Sequence, residues 1–160
     1  MKHDSITRFI GGADIVSKIT AGLTRDELTA FPVPGSWSLQ QLCVHLLDSD
    51  LIAVHRMKRI VAEEAPLLIS YDETAFASGL FYHDLDIGRV AELFRLNRLH
   101  MGEILQRLPP DAFNRFGIHN QRGKVTLREM VDLYVHHVEH HLKFANEKLA
   151  KLGRRAVTVD

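Results

Sequence analysis

Four long stretches of this 160-residue chain repeat their apolar residues at helical rather than alternating spacing, which restricts the fold to packed helices. The first runs from about Ser5 to Leu23, with Ile6, Phe9, Ile10, Ala13, Val16 and Ile19 on one stripe. Gly11 and Gly12 weaken it locally, by roughly 1 kcal/mol per glycine relative to alanine. The second opens at Ser38, which makes a capping box with Gln41. Leu39, Leu42, Leu46, Ala53, Met57 and Ile60 then carry its stripe to about Val61. The third follows Asp86, with Val90, Leu93, Phe94, Leu96 and Leu105 as apolar positions. It stops at Leu108, because a residue before proline disfavours helical backbone. The fourth opens at a second capping box, Thr126 with Glu129, and runs to about Leu152, where Gly153 is an end signal. Four amphipathic helices in one domain over residues 1–160 make an all-α four-helix bundle the expected architecture.

The connections carry their own chemistry. Leu23 to Leu28 reads as a short capped turn of helix, and Phe31-Pro32-Val33-Pro34-Gly35 as a rigid connector into the second helix. Pro66 to Asp86 is long enough for a crossover between bundle helices or a loop covering a site. Phe116 to Val125, with Gly117 and Gly123, can hold a small hairpin.

Lys+Arg and Asp+Glu both total 20, so no net charge steers the chain toward polyanions or an anionic membrane surface. Its basic clusters are small and lack interleaved aromatics, which disfavours nucleic acid as a partner. The single cysteine, Cys43, offers neither an intramolecular disulfide nor a Cys-x-x-Cys motif and suits a reducing cytoplasm. No apolar run approaches a membrane span, and Met1-Lys2-His3-Asp4 has no signal-like apolar core.

Ten histidines are present, four of them within six residues of the fourth helix: His136, His137, His140 and His141. Two His-x-x-x-His registers overlap there, and spacing alone cannot choose between them. The hydrophobic face can. Leu127, Met130, Tyr134, His137, His141 and Phe144 form a core-facing series, whereas the register of His136 and His140 continues through Lys143 and Glu147. On the second helix His45 lies beside Leu42 and Leu46 on the apolar side. If these helices are neighbours, His45, His137 and His141 converge, and three protein ligands with open positions is the pattern of a catalytic metal site. The competing reading is that these are hydrogen-bonded core histidines or a solvated face. Asp48, one turn after His45, is a candidate to orient an imidazole or a water, and His140 a candidate base. Other metal patterns fit worse: no His-Glu-x-x-His zincin motif is present, and no Glu-x-x-His pair of a di-iron bundle. Nor is there a Gly-x-Ser-x-Gly elbow or a phosphate-cradling glycine loop. Cys43 falls on a different helix face from His45 and reads as a small core residue.

Pro34-Gly35-Ser36-Trp37-Ser38 followed by Val44-His45-Leu46-Leu47-Asp48-Ser49 is similar to the Pro-Gly-x-Trp-Ser…His-Leu-x-Asp-Ser signature of the DinB-like (damage-inducible) superfamily. Tyr134-Val135-His136-His137-Val138-Glu139-His140-His141 resembles its last-helix pattern, and Tyr71-Asp72-Glu73-Thr74-Ala75-Phe76 a loop of its YfiT-type branch. The resemblance implies an up-down-down-up bundle with a long crossover between helices 2 and 3. It implies a divalent metal, zinc or nickel, held by His45, His137 and His141, and a homodimer. The all-histidine ligand set is similar to the YfiT-type and bacillithiol-transferase branches rather than to members with glutamate at the His137 position. His136 departs from the pattern, standing where such relatives tend to carry an aromatic residue.

The resulting expectation is a metal-dependent hydrolase or thiol transferase, with a low-molecular-weight thiol as co-substrate in the second case. A non-catalytic metal- or small-molecule-binding stress-response protein is the alternative.

Overall fold

The computed structural model describes the backbone of residues 2–159. Its helices are α1 (Lys2–Gly11), α2 (Ile15–Thr20), α3 (Arg25–Thr29), α4 (Leu39–Ala62), α5 (Glu73–Gly79), α6 (Ile87–Arg107) and α7 (Leu127–Lys151), with 3-10 turns at Gly12–Asp14 and Pro110–Asn114. Three short strands complete it: β1 (Leu67–Leu68), β2 (Phe116–His119) and β3 (Gly123–Thr126).

Each long helix begins where its side chains can satisfy orphan backbone amides. Ser38 and Thr126 form complete capping boxes with Gln41 and Glu129, and Thr24 with Glu27 does the same for the short α3. Asp86 Oδ1 accepts from the Arg89 amide at the start of α6.

Side-chain links between helices fix their directions. Ser5 bonds Asp132 and Arg8 bonds Glu139, so α1 and α7 run the same way. Gln40 donates to the carbonyls of Tyr82 and Leu85 just before α6, while Asp50, farther along α4, pairs with Arg98 well inside α6. The second and third bundle helices are therefore parallel. Arg115 ties the end of α4, through the Ile60 and Glu63 carbonyls, to the start of α7, where the Leu127 amide donates to Arg115 O. So α7 is antiparallel to α4, and the order is up, down, down, up, with residues 63–86 as the crossover.

Three expectations need correction. The first helix is not continuous: it breaks at Gly12–Asp14. A Cβ on Gly12 would lie 2.8 Å from Arg98 Nη1, so the glycine is the gap through which a buried guanidinium reaches the Phe9 carbonyl. On α6, Leu93 and Leu96 face solvent, and the core face is Val90, Phe94, Arg98, Met101 and Leu105. Arg98 occupies a position that the apolar spacing gave no reason to assign to the core. On α7 the expected Leu127, Met130 and Tyr134 are buried, but beyond them the core follows Val131, Val135, Val138, Ala145 and Leu149. His137 and His141 flank that stripe, and Phe144 is exposed at its rim.

The crossover is more structured than its sequence suggests. β1 pairs in parallel with β2, Leu67 opposite Ile118 and Leu68 opposite His119, and β2 pairs antiparallel with β3 as the expected hairpin. The chains cross closely at Gly117, where a Cβ would lie 2.9 Å from Pro66 O. Asn120 then holds the loop, accepting from the Ser70 amide at 2.8 Å and donating to its hydroxyl at 3.0 Å. Among the described residues no helix is long and apolar enough to cross a membrane.

Candidate metal centre

His45 is wholly buried on α4, and its Nε2 lies 3.3 Å from Nε2 of His137 and 3.2 Å from Nε2 of His141. One donor nitrogen from each of the three rings falls within 4.8 Å of the others. The antiparallel α4 and α7 produce this meeting. His137 and His141 are one turn apart on α7 and point the same way, toward His45. Trp37 lies against the His45 ring, centroids 4.9 Å apart, so the capped entry into α4 also packs the site.

Such a cluster is hard to satisfy internally. A ring nitrogen carries either one proton or one lone pair, so His45 Nε2 can complete one hydrogen bond with a neighbouring imidazole, not two. A cation relieves the convergence. Two nitrogens about 2.05 Å from a tetrahedral zinc are about 3.3 Å apart, which matches the observed spacing. His45 Nδ1 is buried without a hydrogen-bond partner, so packing rather than an acceptor orients this ring. Asp48, the sequence candidate for that role, instead accepts from the Tyr82 hydroxyl at 2.6 Å and anchors the crossover. His136 is exposed beside Glu139, and His140, also exposed, leans on His141 and Phe144.

Burial holds all three imidazoles neutral well below their usual range, His45 at about 4 and His137 and His141 at about 3; mutual repulsion adds to the effect for the last two. An unfolded chain protonates them near 6.5. Above that pH neither state binds the protons; below it the unfolded chain does and the folded one resists, so stability is lost as pH falls toward the folded values. The metal-free protein is therefore expected to lose melting temperature between about pH 7 and pH 4. A variant with all three histidines changed to glutamine should lose measurably less in the same scan, and equal losses would contradict this account.

Sequence reasoning missed Glu73 as a site residue. Asp72 caps α5, its Oδ1 accepting from the Ala75 amide, which places Glu73 in the first turn over the site. Glu73 Oε2 is 3.8 Å from His45 Nε2, with 60% of the side chain exposed. The signal was a carboxylate directly after an N-cap in a loop long enough to return to the bundle. Tyr71, two residues earlier, stacks on Phe76 at 4.9 Å, and burial pushes its phenol up to about 12, with Ser49 opposing in part.

An antiparallel-and-parallel bundle with three converging imidazoles under a crossover loop defines the class of protein, and the comparisons with known proteins agree. The DinB superfamily model matches residues 9–145, and the chain belongs to that superfamily. A protein of Oceanobacillus iheyensis named "Putative metal-dependent hydrolase" is 28% identical over 120 residues, 75% of this chain and 69% of its own. YfiT of Bacillus subtilis, with the same designation, is 29% identical over 126 residues, covering 74% and 67%. The solved structure of YfiT, described as having an unusual four-helix bundle topology, superposes with a TM-score of 0.89 at 24% identity, over 96% of this chain and 88% of that one. A DinB-like protein of the same organism superposes with a TM-score of 0.69 at 17% identity, over 97% and 96%.

Proposed function

We propose that His45, His137 and His141 hold one divalent ion, zinc or nickel, and that the chain is a metal-dependent hydrolase. The observation that carries this is the meeting of three neutral Nε2 atoms at a spacing one ion would satisfy. The relatives' designation as metal-dependent hydrolases supports it. A bound ion would supply Lewis-acid charge that acidifies water and polarises a scissile carbonyl. The chain's own residues do the rest. The buried His45, with the half-buried Trp37 against it, forms the floor, and α7 presents the other two imidazoles from the rim. Among the described residues Glu73 is the carboxylate that pairs with the imidazole cluster, and its exposure leaves it in contact with water, so it takes the nucleophile's proton.

The same carboxylate would serve a thiol nucleophile. Cys43 cannot provide one, since it is fully buried and its thiol is pushed up to about 12 by desolvation. Transfer to sulfur would therefore require a low-molecular-weight thiol from solution. Assays of aryl esters, amides and electrophiles with and without added thiol separate hydrolysis from S-transfer. In whichever assay is active, Glu73→Gln is expected to lower kcat/KM by about a hundredfold or more, with metal content unchanged. Full activity in that variant would remove Glu73 from the mechanism.

A further inference from the structure

Beside the imidazole cluster, α4, α7, the sheet and the crossover border a half-open cavity of about 370 Å³ that has His137 in its wall. Its ionisable lining is lopsided: Arg56 and Arg122 stand against a single carboxylate, Glu73. His119 does not redress this. It is buried, held neutral by desolvation and by the two arginines, and its Nδ1 accepts from the Gln121 amide, so its proton sits on Nε2.

Arg56 is the residue that needs a partner. It is 7% exposed and lies on the same face of α4 as His45 and Ser49, about 16 Å along the axis from His45 at 1.5 Å per residue. Its Nη2 donates to the Ile69 carbonyl, but its Nε is buried and donates to nothing. Among the described residues no carboxylate lies within ion-pair distance of it. The protein's other deeply buried guanidinium, Arg98, shows the contrast: it has a carboxylate, two carbonyls and two aromatic faces. A buried cation without a counter-charge is the costly arrangement that a bound anion relieves. The Tyr71 hydroxyl, on a different element, lines the same cavity and is likewise buried; the Ser49 side chain lies near enough to draw its phenol part of the way back but not in a geometry that completes a hydrogen bond. Two unspent donors call for acceptor oxygens, and one negative charge would balance the lining.

We propose that the cavity takes a small molecule bearing a carboxylate, whose oxygens accept from Arg56 Nε and the Tyr71 hydroxyl. Its apolar body lies on Val125, Met130 and Leu133, and its reacting end is directed toward His137. Only the assignment of that reacting end rests on the metal reading; the anion subsite stands on its own residues.

The probe is sodium benzoate, titrated by calorimetry into the full-length protein as purified and again after chelation, with benzamide as the neutral isostere and phenyl phosphate as the phosphate counterpart. Benzoate is expected to bind one-to-one in both preparations, and benzamide not at all. Arg56→Gln should weaken benzoate by on the order of tenfold or more, the usual weight of a charge-assisted hydrogen bond. Tyr71→Phe should weaken it by a smaller factor. Because Arg56 also pins Ile69, thermal melts accompany each variant, and Tyr71→Phe keeps the test open if Arg56→Gln does not fold. Equal binding of benzoate and benzamide, or unchanged affinity in the folded variants, would overturn the proposal. Tighter binding of phenyl phosphate would overturn the carboxylate assignment. Metal content read on the same samples keeps the two readings apart. Benzoate binding without metal uptake fails only the metal centre, and stoichiometric metal without benzoate binding fails only the subsite.

Discussion

Asp50→Ala is expected to cost about 3–5 kcal/mol of stability, the usual result of leaving one partner of a buried ion pair uncompensated. In a chain of this size that is about 10 °C of melting temperature. Asp50 and Arg98 are each 1% exposed, with Oδ1 accepting from Nε at 3.0 Å and paired with Nη2 at 2.9 Å. Asn97 donates to the other carboxylate oxygen at 3.0 Å. Burial pushes the Asp50 carboxyl up, and Arg98 and Asn97 pull it back toward the ionised form. The guanidinium lies between the rings of Phe9 and Phe94 and donates to the carbonyls of Phe9 and Tyr134, so it cannot leave for water without opening three helices. Asp50→Asn keeps an acceptor and should lose less. Urea and thermal unfolding read both variants; a loss under about 1 kcal/mol for Asp50→Ala would mean that the pair behaves like a surface bridge. The network also bears on the site, because Tyr134 is one turn before His137 on α7 and Asp50 is five residues after His45 on α4. Metal affinity should fall along with stability.

Removing one converging imidazole is the second large effect. His137→Ala is expected to reduce metal affinity well beyond the 10–100-fold typical of losing an outer partner of a ligand, because two imidazoles remain where three met. Activity should fall with it. His136→Ala and His140→Ala should leave metal uptake unchanged, since both side chains are exposed and neither reaches the cluster. Competition with a chromophoric chelator measures all three. Equal losses across the histidine-rich turn would mean that the helix binds metal nonspecifically through its surface.

The helix starts were readable because capping is local: Ser38–Gln41 and Thr126–Glu129 satisfy backbone amides within one turn, whatever the rest of the fold does. The choice of His137 and His141 over His136 and His140 was readable for a similar reason, since one face of α7 is apolar and the other is charged. The positions that misled were those decided by tertiary partners. Leu93 and Leu96 look like core residues until Arg98, balanced by Asp50 from another helix, takes the buried face of α6. The series through His137 and His141 ran on to Phe144, yet the true stripe lies to one side and leaves the histidines at a rim, where an ion and a substrate can reach them. Glu73 was the largest omission. Its place over His45 depends on β1 joining the hairpin and on Asn120 clasping Ser70, pairings between segments 50 residues apart that leave no periodicity to read.

Whether His45, His137 and His141 share one ion is decided by anomalous diffraction from crystals of the metal-loaded protein, collected on both sides of the zinc and nickel edges. A single strong peak bonded to Nε2 of all three residues is expected, with its remaining positions facing Glu73. A peak centred on His136 and His140, or three ordered rings with no peak between them, would contradict a shared ion.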